Sequence, residues 1–410
     1  MKILLANKFY YPRGGDCIYT IALEKLLKAK GHDVAVFSMH HPSNLPSGYS
    51  GYFHSHIDFN KRSIRSLLSL LVRPFGATEV RESFTRLISD FKPDIVHLNN
   101  IHSQLSPIIA VICHKYRIPV VWTLHDYKLV CPAYLLLSNG KPCEACLDKK
   151  WNVVKKRCIK NNWFASLVAY WEAQIWNLAK LSKVTDRFIS PSSFLKSIMI
   201  KGGIDSAKIE VMHNFIDIPD YQRGAGANED YYCYVGRLSA EKGITTLLKA
   251  AAGLPAYKLK IIGTGPLEKE LISANRLPNV EFLGYRTGAE LNSLMAGSKF
   301  LIVPSEVYEN NPLTILEALS LGIPVLGAEI GGIPELIIPG FNGMLFEAGN
   351  VNEMQEKIEY IWQKPEDFVG DDIAREAENN YNANSYYDRL IQLYGVVTEN
   401  NRYKKNGASI

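Results

Sequence analysis

An α/β chain of two doubly wound parallel-sheet domains in tandem is what the sequence predicts. Three observations carry this: 410 residues exceed what one core usually fills, short apolar runs alternate with helix-patterned stretches, and one aperiodic segment divides them into two series. KILLAN (2–7) is strand-like, a loop with Gly14-Gly15 follows, a helical pattern runs from about Cys17 to Lys30, Gly31 ends it, and DVAVFS (33–38) completes a βαβ unit. DIVHLN (94–99), PVVWTL (119–124) and DRFISPS (186–192) continue the first series. The second consists of YYCYVG (231–236), LKIIG (259–263), NVEFLG (279–284), KFLIVPS (299–305) and IPVLGAE (323–329), each followed by a helical stretch. Strands separated by helices imply parallel sheets covered on both faces. The predicted organisation is a domain over 1–212 with a Cys-containing insertion at about 131–158, a linker over 213–230, a domain over 231–380, a helix over 381–399 that packs back toward the first domain, and a polar tail over 400–410. Ligands of such sheets lie at the carboxyl ends of the strands, here expected in a cleft between the domains.

Composition narrows the class. With 47% hydrophobic and 21% charged residues the chain is globular, not disordered. No apolar run reaches 18 residues, so a membrane-spanning protein is not expected; the N-terminus starts directly on a strand-like run without signal-peptide regions, and the cytosol is the expected compartment. The net charge of +5 conceals an asymmetry: residues 1–220 hold 29 basic against 17 acidic residues, a surplus of +12, and residues 221–410 hold 17 against 24, a deficit of −7. A basic half suits an anionic partner. No nucleic-acid-binding module is recognisable and the second half is acidic, so nucleic acid is not the expected partner.

Four motifs carry chemistry. In ENNPLTILE, Glu309 and Glu317 stand eight apart, with Pro312 suited to the first turn of a helix. Glu309 then precedes the helix and Glu317 lies on its second turn, two acceptor-only groups able to hold sugar and ribose hydroxyls, while the helix start attracts phosphate. On spacing alone, both glutamates also read as ordinary solvated residues. In VGRLSAEKG, Gly236 ends a strand and Arg237 and Lys242 follow, a planar fork and a mobile point charge that can clamp a diphosphate; two solvated loop cations are the plainer reading. In YYPRGGD, Gly14 and Gly15 let backbone amides approach an anion, although most Gly-Gly pairs are merely turns. TLHDYK delivers His125 and Asp126 from a strand end, His125 being either a sugar contact or a structural histidine.

With HNFID (213–217), IIGTGPLE (261–268) and IGGIPELI (330–337), these segments resemble the family-4 group of retaining, nucleotide-sugar-dependent glycosyltransferases of the two-domain GT-B fold, in order over nearly the whole chain. The resemblance implies a nucleotide-diphosphate sugar donor bound by the second domain and a glycan or lipid-linked acceptor bound by the first, in polysaccharide or glycolipid synthesis. Arg237 and Lys242 match the pair gripping the diphosphate, Glu309 the donor-sugar contact, and Glu317 the ribose contact. Gly236 and Gly263 lie in the donor-side turns; Asn311, Pro312 (through its carbonyl), Leu313 and Thr314 lie where the family cradles phosphate and sugar. His125 matches the histidine near the transferred sugar, and Gly14 and Gly15 the loop that closes on the phosphates. Where the family has glycine after the first glutamate, this chain has Asn310 and Asn311. The implied activity is transfer with retention and without a required cofactor or divalent metal. A nucleotide-sugar epimerase of the same fold and a catalytically silent sugar-nucleotide-binding subunit are the alternatives.

Cys131, Cys143, Cys146 and Cys158 form C-x₁₁-C-x₂-C-x₁₁-C, which in a cytosolic protein reads first as a closed structural zinc site, with free thiols or a redox-labile disulfide as the other readings. Two segments mix cations with apolar residues: KRSIRSLLSLLVRPFG (61–76), and Lys149 to Trp176 with Trp151, Trp163 and Trp171. Each reads either as a core-facing helix with a basic outer face or as a membrane-interface segment. The resemblance adds an expectation of peripheral binding of the basic domain to an anionic inner membrane face.

Overall fold

The computed structural model describes residues 1–55, 76–216 and 230–407, with side chains as far as 401. The basic segment over 61–75 and most of the expected linker, 217–229, lie outside the described residues. The chain forms two compact units: Met1–Leu136, Cys143–His213 and Asn384 onward make the first, Leu137–Pro142 and Asn214–Ala383 the second.

Eight strands come first in the chain: β1 (Lys2–Ala6), β2 (Asp33–Phe37), β3 (Ile95–Leu98), β4 (Val120–Thr123), β5 (Leu137–Ser138), β6 (Lys141–Pro142), β7 (Arg187–Ser190) and β8 (Ile209–Val211). Six of them form the first unit's parallel sheet in the order β2-β1-β3-β4-β7-β8, while β5 and β6 pair antiparallel with each other. Leu4 registers with Ala35 on one side and Val96 on the other. Ile3, Leu4 and Leu5 are all fully buried, because helices cover both faces of the sheet; this is why the strand is a continuous apolar run and does not alternate. The C-terminal helix, Ala383–Gly407, seats Tyr386, Leu390, Tyr394 and Val397 in the first unit at helical spacing. Its tyrosines end in hydrogen bonds at 2.5 Å, Tyr386 Oη to Tyr19 Oη and Tyr394 Oη to His97 Nδ1.

The second unit holds β9 (Tyr231–Val235), β10 (Lys258–Ile262), β11 (Val280–Gly284), β12 (Leu301–Val303), β13 (Val325–Ala328) and β14 (Gly343–Phe346), all parallel, in the order β11-β10-β9-β12-β13-β14. Its core is aromatic as well as aliphatic, with Tyr232 stacked on Phe300 at 5.0 Å. The strand order reverses beside β1 in one sheet and beside β9 in the other. Loops leaving the carboxyl ends at such points diverge and leave room for a ligand. The Gly14–Gly15, Asn99–Asn100 and His125 segments leave β1, β3 and β4, and the Gly236 and Glu309 segments leave β9 and β12.

Candidate functional site

In the second unit the chain runs from β12 through Ser305 to Glu309 and enters the helix Leu313–Ser320. Pro312 is the residue before that helix, with φ −63° and ψ 116°, one step earlier than the first-turn position the sequence suggests. Pro312 at the cap position makes no side-chain hydrogen bond to this start, and the amides of its first turn form the positive end of the helix dipole. The Glu309 carboxylate accepts from Lys242 Nζ and from Ser305 Oγ, both at 2.5 Å. Lys242 closes a short 3₁₀ turn, Ala240–Lys242, and Gly243 follows with φ +70°.

Backbone approach explains the glycines here. A Cβ on Gly243 would lie 1.7 Å from the Pro304 carbonyl oxygen, so the Lys242 turn presses directly on the segment that leads to Glu309. Gly243→Ala combines that clash with a left-handed backbone costing about 1–2 kcal/mol; a fall in the chemical-denaturation midpoint together with loss of donor binding is the expected outcome. Gly331, at φ +63°, would put a Cβ 2.4 Å from the Glu309 carbonyl, to which Gly332 N–H donates at 2.8 Å. At the ends of β9 and β10, a Cβ on Gly263 would come 1.9 Å from the Gly236 carbonyl. Asn311 is tied by its side chain to Asn214 N–H at 2.9 Å and by its carbonyl to Asn214 Nδ2 at 3.1 Å. The Glu309–Asn311 segment is thus held from both sides before any ligand arrives.

Arg237 extends an exposed side chain from the Gly236 turn. Burial raises the Glu317 carboxyl above its ordinary value, with no cation among the causes that would pull it back.

In the first unit, Gly14 precedes the helix Gly15–Ala29, and no side chain caps that start either. Gly14 has φ −165°, an extended backbone that any residue adopts, and a Cβ there would meet only Asp16 Oδ1 at 3.5 Å. Its conformation therefore does not require glycine; a side chain would simply occupy the space over the helix start. His125 leaves β4, and its Nε2 pairs with Asn99 Oδ1 at 3.0 Å, while its ring meets Tyr19 edge-on at 5.0 Å. Burial lowers its pKa to about 4, so the imidazole is neutral at pH 7. Burial raises Asp126, against which Lys8 and Lys128 act. Lys128 in turn forms a buried ion pair with Glu172 at 2.8 Å and donates to the Pro132 carbonyl, fixing the loop after His125 to the helix Trp163–Ile175.

The four cysteines are the candidate zinc ligands of the sequence. Among the described residues no group of three or more His, Cys, Asp or Glu side chains is placed to share an ion. Cys131 and Cys146 hydrogen-bond to each other, which holds the Cys131 thiol below its usual range and pushes that of Cys146 up. Cys143 takes a hydrogen bond from Lys156 Nζ at 3.2 Å, and Cys143, Cys158 and Cys146 together raise that lysine's pKa. None of the four is in a disulfide in the structure.

Several residues at these loops carry no motif-level signal. Ser305 and Asn214 matter through hydrogen bonds that spacing does not encode. Asn99 and Asn100 follow β3 at the switch point, and Asn99 Nδ2 and Asn100 Oδ1 are buried with no partner among the described residues. Their place at a strand end beside β1 was the available clue.

Comparison with known proteins divides at the same point as the two sheets. Residues 13–219 match the model "Glycosyltransferase Family 4" and residues 220–384 the model "Glycosyl transferases group 1". An uncharacterized 42.6 kDa protein in the cps region of Klebsiella pneumoniae is 28% identical over 354 residues, 82% of this chain and 87% of its own. Anabaena Alr3699/HepE, solved in complex with UDP, superposes with a TM-score of 0.66 at 19% identity, over 97% of this chain and 100% of that one. WaaG, a glycosyltransferase involved in lipopolysaccharide biosynthesis, gives 0.62 at 15% identity, over 97% and 99%.

Proposed function

The chain belongs to the group 1 glycosyltransferases of the GT-B fold, and from that premise we propose that it moves a sugar from a nucleotide-diphosphate donor to a hydroxyl of a glycan acceptor with retained anomeric configuration. The observation that carries the reading is the Lys242–Glu309 pair, with Glu309 four residues ahead of the helix Leu313–Ser320. In this reading the donor diphosphate draws Lys242 from Glu309, meets the Arg237 guanidinium and lies at that helix start. Glu309, still held by Ser305, turns to a hydroxyl of the donor sugar, and Glu317 accepts from the ribose hydroxyls.

The bond from the anomeric carbon to the diphosphate oxygen breaks, and positive charge develops on the sugar ring. The acceptor hydroxyl attacks on the face the diphosphate leaves, forming the new glycosidic bond, and its proton passes to a departing phosphate oxygen. Positioning and charge stabilisation account for most of the acceleration. Arg237 and Lys242 supply the compensating charge, so the step needs no divalent ion. His125, neutral by burial, contributes a hydrogen bond and no charge. The first unit, which draws most of its residues from the +12 stretch over 1–220, takes the acceptor. The cps-region relative and the likeness to WaaG support a lipid-linked glycan of a cell-surface polymer as that acceptor, and the UDP complex of HepE supports a uridine nucleotide.

A panel of UDP- and GDP-sugars in thermal shift tests the reading: a true donor raises Tm in proportion to RT ln(1 + [L]/Kd), and none doing so would defeat it. Glu317 adds a pH signature. Its carboxyl is raised in the free protein, so the free fold loses stability as pH rises through that value, whereas nucleotide binding needs the ionised form. Kd should therefore rise as pH falls, by at most about tenfold per unit. Glu317→Gln should bind weakly with a flat pH profile in titration calorimetry.

A further inference from the structure

Between Cys131 and Cys158 the chain builds little that could hold it together by itself. Its regular structure there is two strands of two residues, β5 and β6, and one helix of four, Asn152–Lys155. Few apolar side chains are buried in the stretch, Leu136, Val153 and Val154 being the largest. Tyr134, Leu136 and Arg157 adopt left-handed backbone at φ +59°, +49° and +49°, a conformation that costs free energy outside glycine and persists only where surrounding contacts enforce it. Segments with so little core generally depend on a disulfide or a metal staple.

The sulfurs lie where such a staple would act. Cys131 Sγ meets Cys146 Sγ in a hydrogen bond and also accepts from the backbone amides of Ala133 and Leu136. Cys158 lies within electrostatic reach of Cys146. Lys156 Nζ donates to Cys143 Sγ at 3.2 Å and lies within electrostatic reach of Cys158 and Cys146 as well. All four sulfurs thus share one neighbourhood, and its other members suit thiolates: two amides and Lys128 act on Cys131, Lys150 on Cys146 and Lys156 on Cys143. A disulfide is neutral and would gain little from these donors and cations, and one between Cys131 and Cys146 would leave Cys143 and Cys158 outside it. A tetrahedral zinc ion takes all four thiolates, and the double negative charge that results is offset by the three lysines. As placed, no three sulfurs converge on one point, Cys143 being turned to Lys156; an ion would draw it from that lysine. We propose that Cys131, Cys143, Cys146 and Cys158 close around one structural zinc ion, which ties the loop after His125 to the segment ahead of the helix Trp163–Ile175. The site goes beyond the transferase reading and takes no part in its chemistry.

The test is elemental analysis of the full chain, expressed in zinc-supplemented medium and purified without chelator, which should find about one zinc per chain. A thiol-capping mercurial should release that zinc to a chelating dye, and cobalt(II) exchanged into the site should show the absorption of a tetrahedral thiolate complex. Cys143→Ser/Cys158→Ser, confined to the two of these sulfurs that are not fully buried, should retain less than about a tenth of the zinc, with a lower Tm and an unchanged far-ultraviolet circular dichroism spectrum. Wild type with far less than one equivalent of metal, or zinc that persists in the double variant, overturns the proposal. So does a thiol count on the denatured chain, with chelator present, that falls two short of the seven cysteines, which would mark a disulfide. Metal content is measured with no donor sugar present, so the result is independent of the transferase reading.

Discussion

Lys242→Ala is expected to lower turnover by about 10²–10³-fold, the loss typical of removing one preorganised group from a developing charge. The same change should barely disturb the fold. Lys242 and Glu309 are 32% and 15% exposed at their side chains, and a partly solvated pair of this kind contributes about 0–1 kcal/mol. Glu309 keeps its hydrogen bond from Ser305, and the Gly243 turn is a backbone feature that the substitution leaves alone. Steady-state kinetics with the identified donor, beside a Tm measurement, separate the two effects. Near-normal kcat would show that Lys242 does not stabilise the leaving diphosphate.

Glu172→Ala should produce the larger loss of stability, about 3–5 kcal/mol, because it leaves Lys128 buried without its counter-charge. The two side chains are only 6% and 11% exposed and lie 2.8 Å apart. Lys128 keeps the Pro132 carbonyl as its remaining partner, a single acceptor for a charge removed from water. Replacing both members, as Lys128→Met/Glu172→Leu, should recover most of the loss, since an apolar pair removes the orphaned charge. Urea denaturation of the two single variants and the double variant closes the cycle. Because Lys128 lies three residues after His125, Glu172→Ala should also raise the acceptor KM at temperatures where the variant is still folded.

The two sheets were legible in the sequence because parallel strands buried on both faces are unbroken apolar runs, as at Ile3–Leu5 and Leu301–Val303. The edge strands β8 and β14 were not, being three and four residues long, the second beginning with Gly343. At the site, Glu309, Glu317, Arg237 and Lys242 stood out because each lies in a short motif next to a strand end or helix start. What fixes the loops did not stand out: Asn214, which holds the Glu309–Asn311 segment, is 97 residues from Asn311, and Lys128, which holds the loop after His125, is 44 from Glu172; no local pattern records such pairs. Cysteine spacing leaves the pairing open for a related reason. It gives chain separation but not direction, and Cys143 faces Lys156 while Cys146 faces Cys131. The tryptophans between 151 and 176 likewise read as core or surface until the helix phase separated the buried Trp176 from the exposed Trp163 and Trp171.

The central claim is that the chain cleaves a nucleotide-diphosphate sugar with retention through the Lys242–Glu309 locus. Proton NMR of the sugar first released to water from the donor, before mutarotation, tests it without knowledge of the acceptor. The account predicts nucleotide release by wild type, the donor's own anomeric configuration in the nascent sugar, and loss of both signals in Lys242→Ala. A nascent sugar of inverted configuration, or release that persists unchanged in Lys242→Ala, would contradict it.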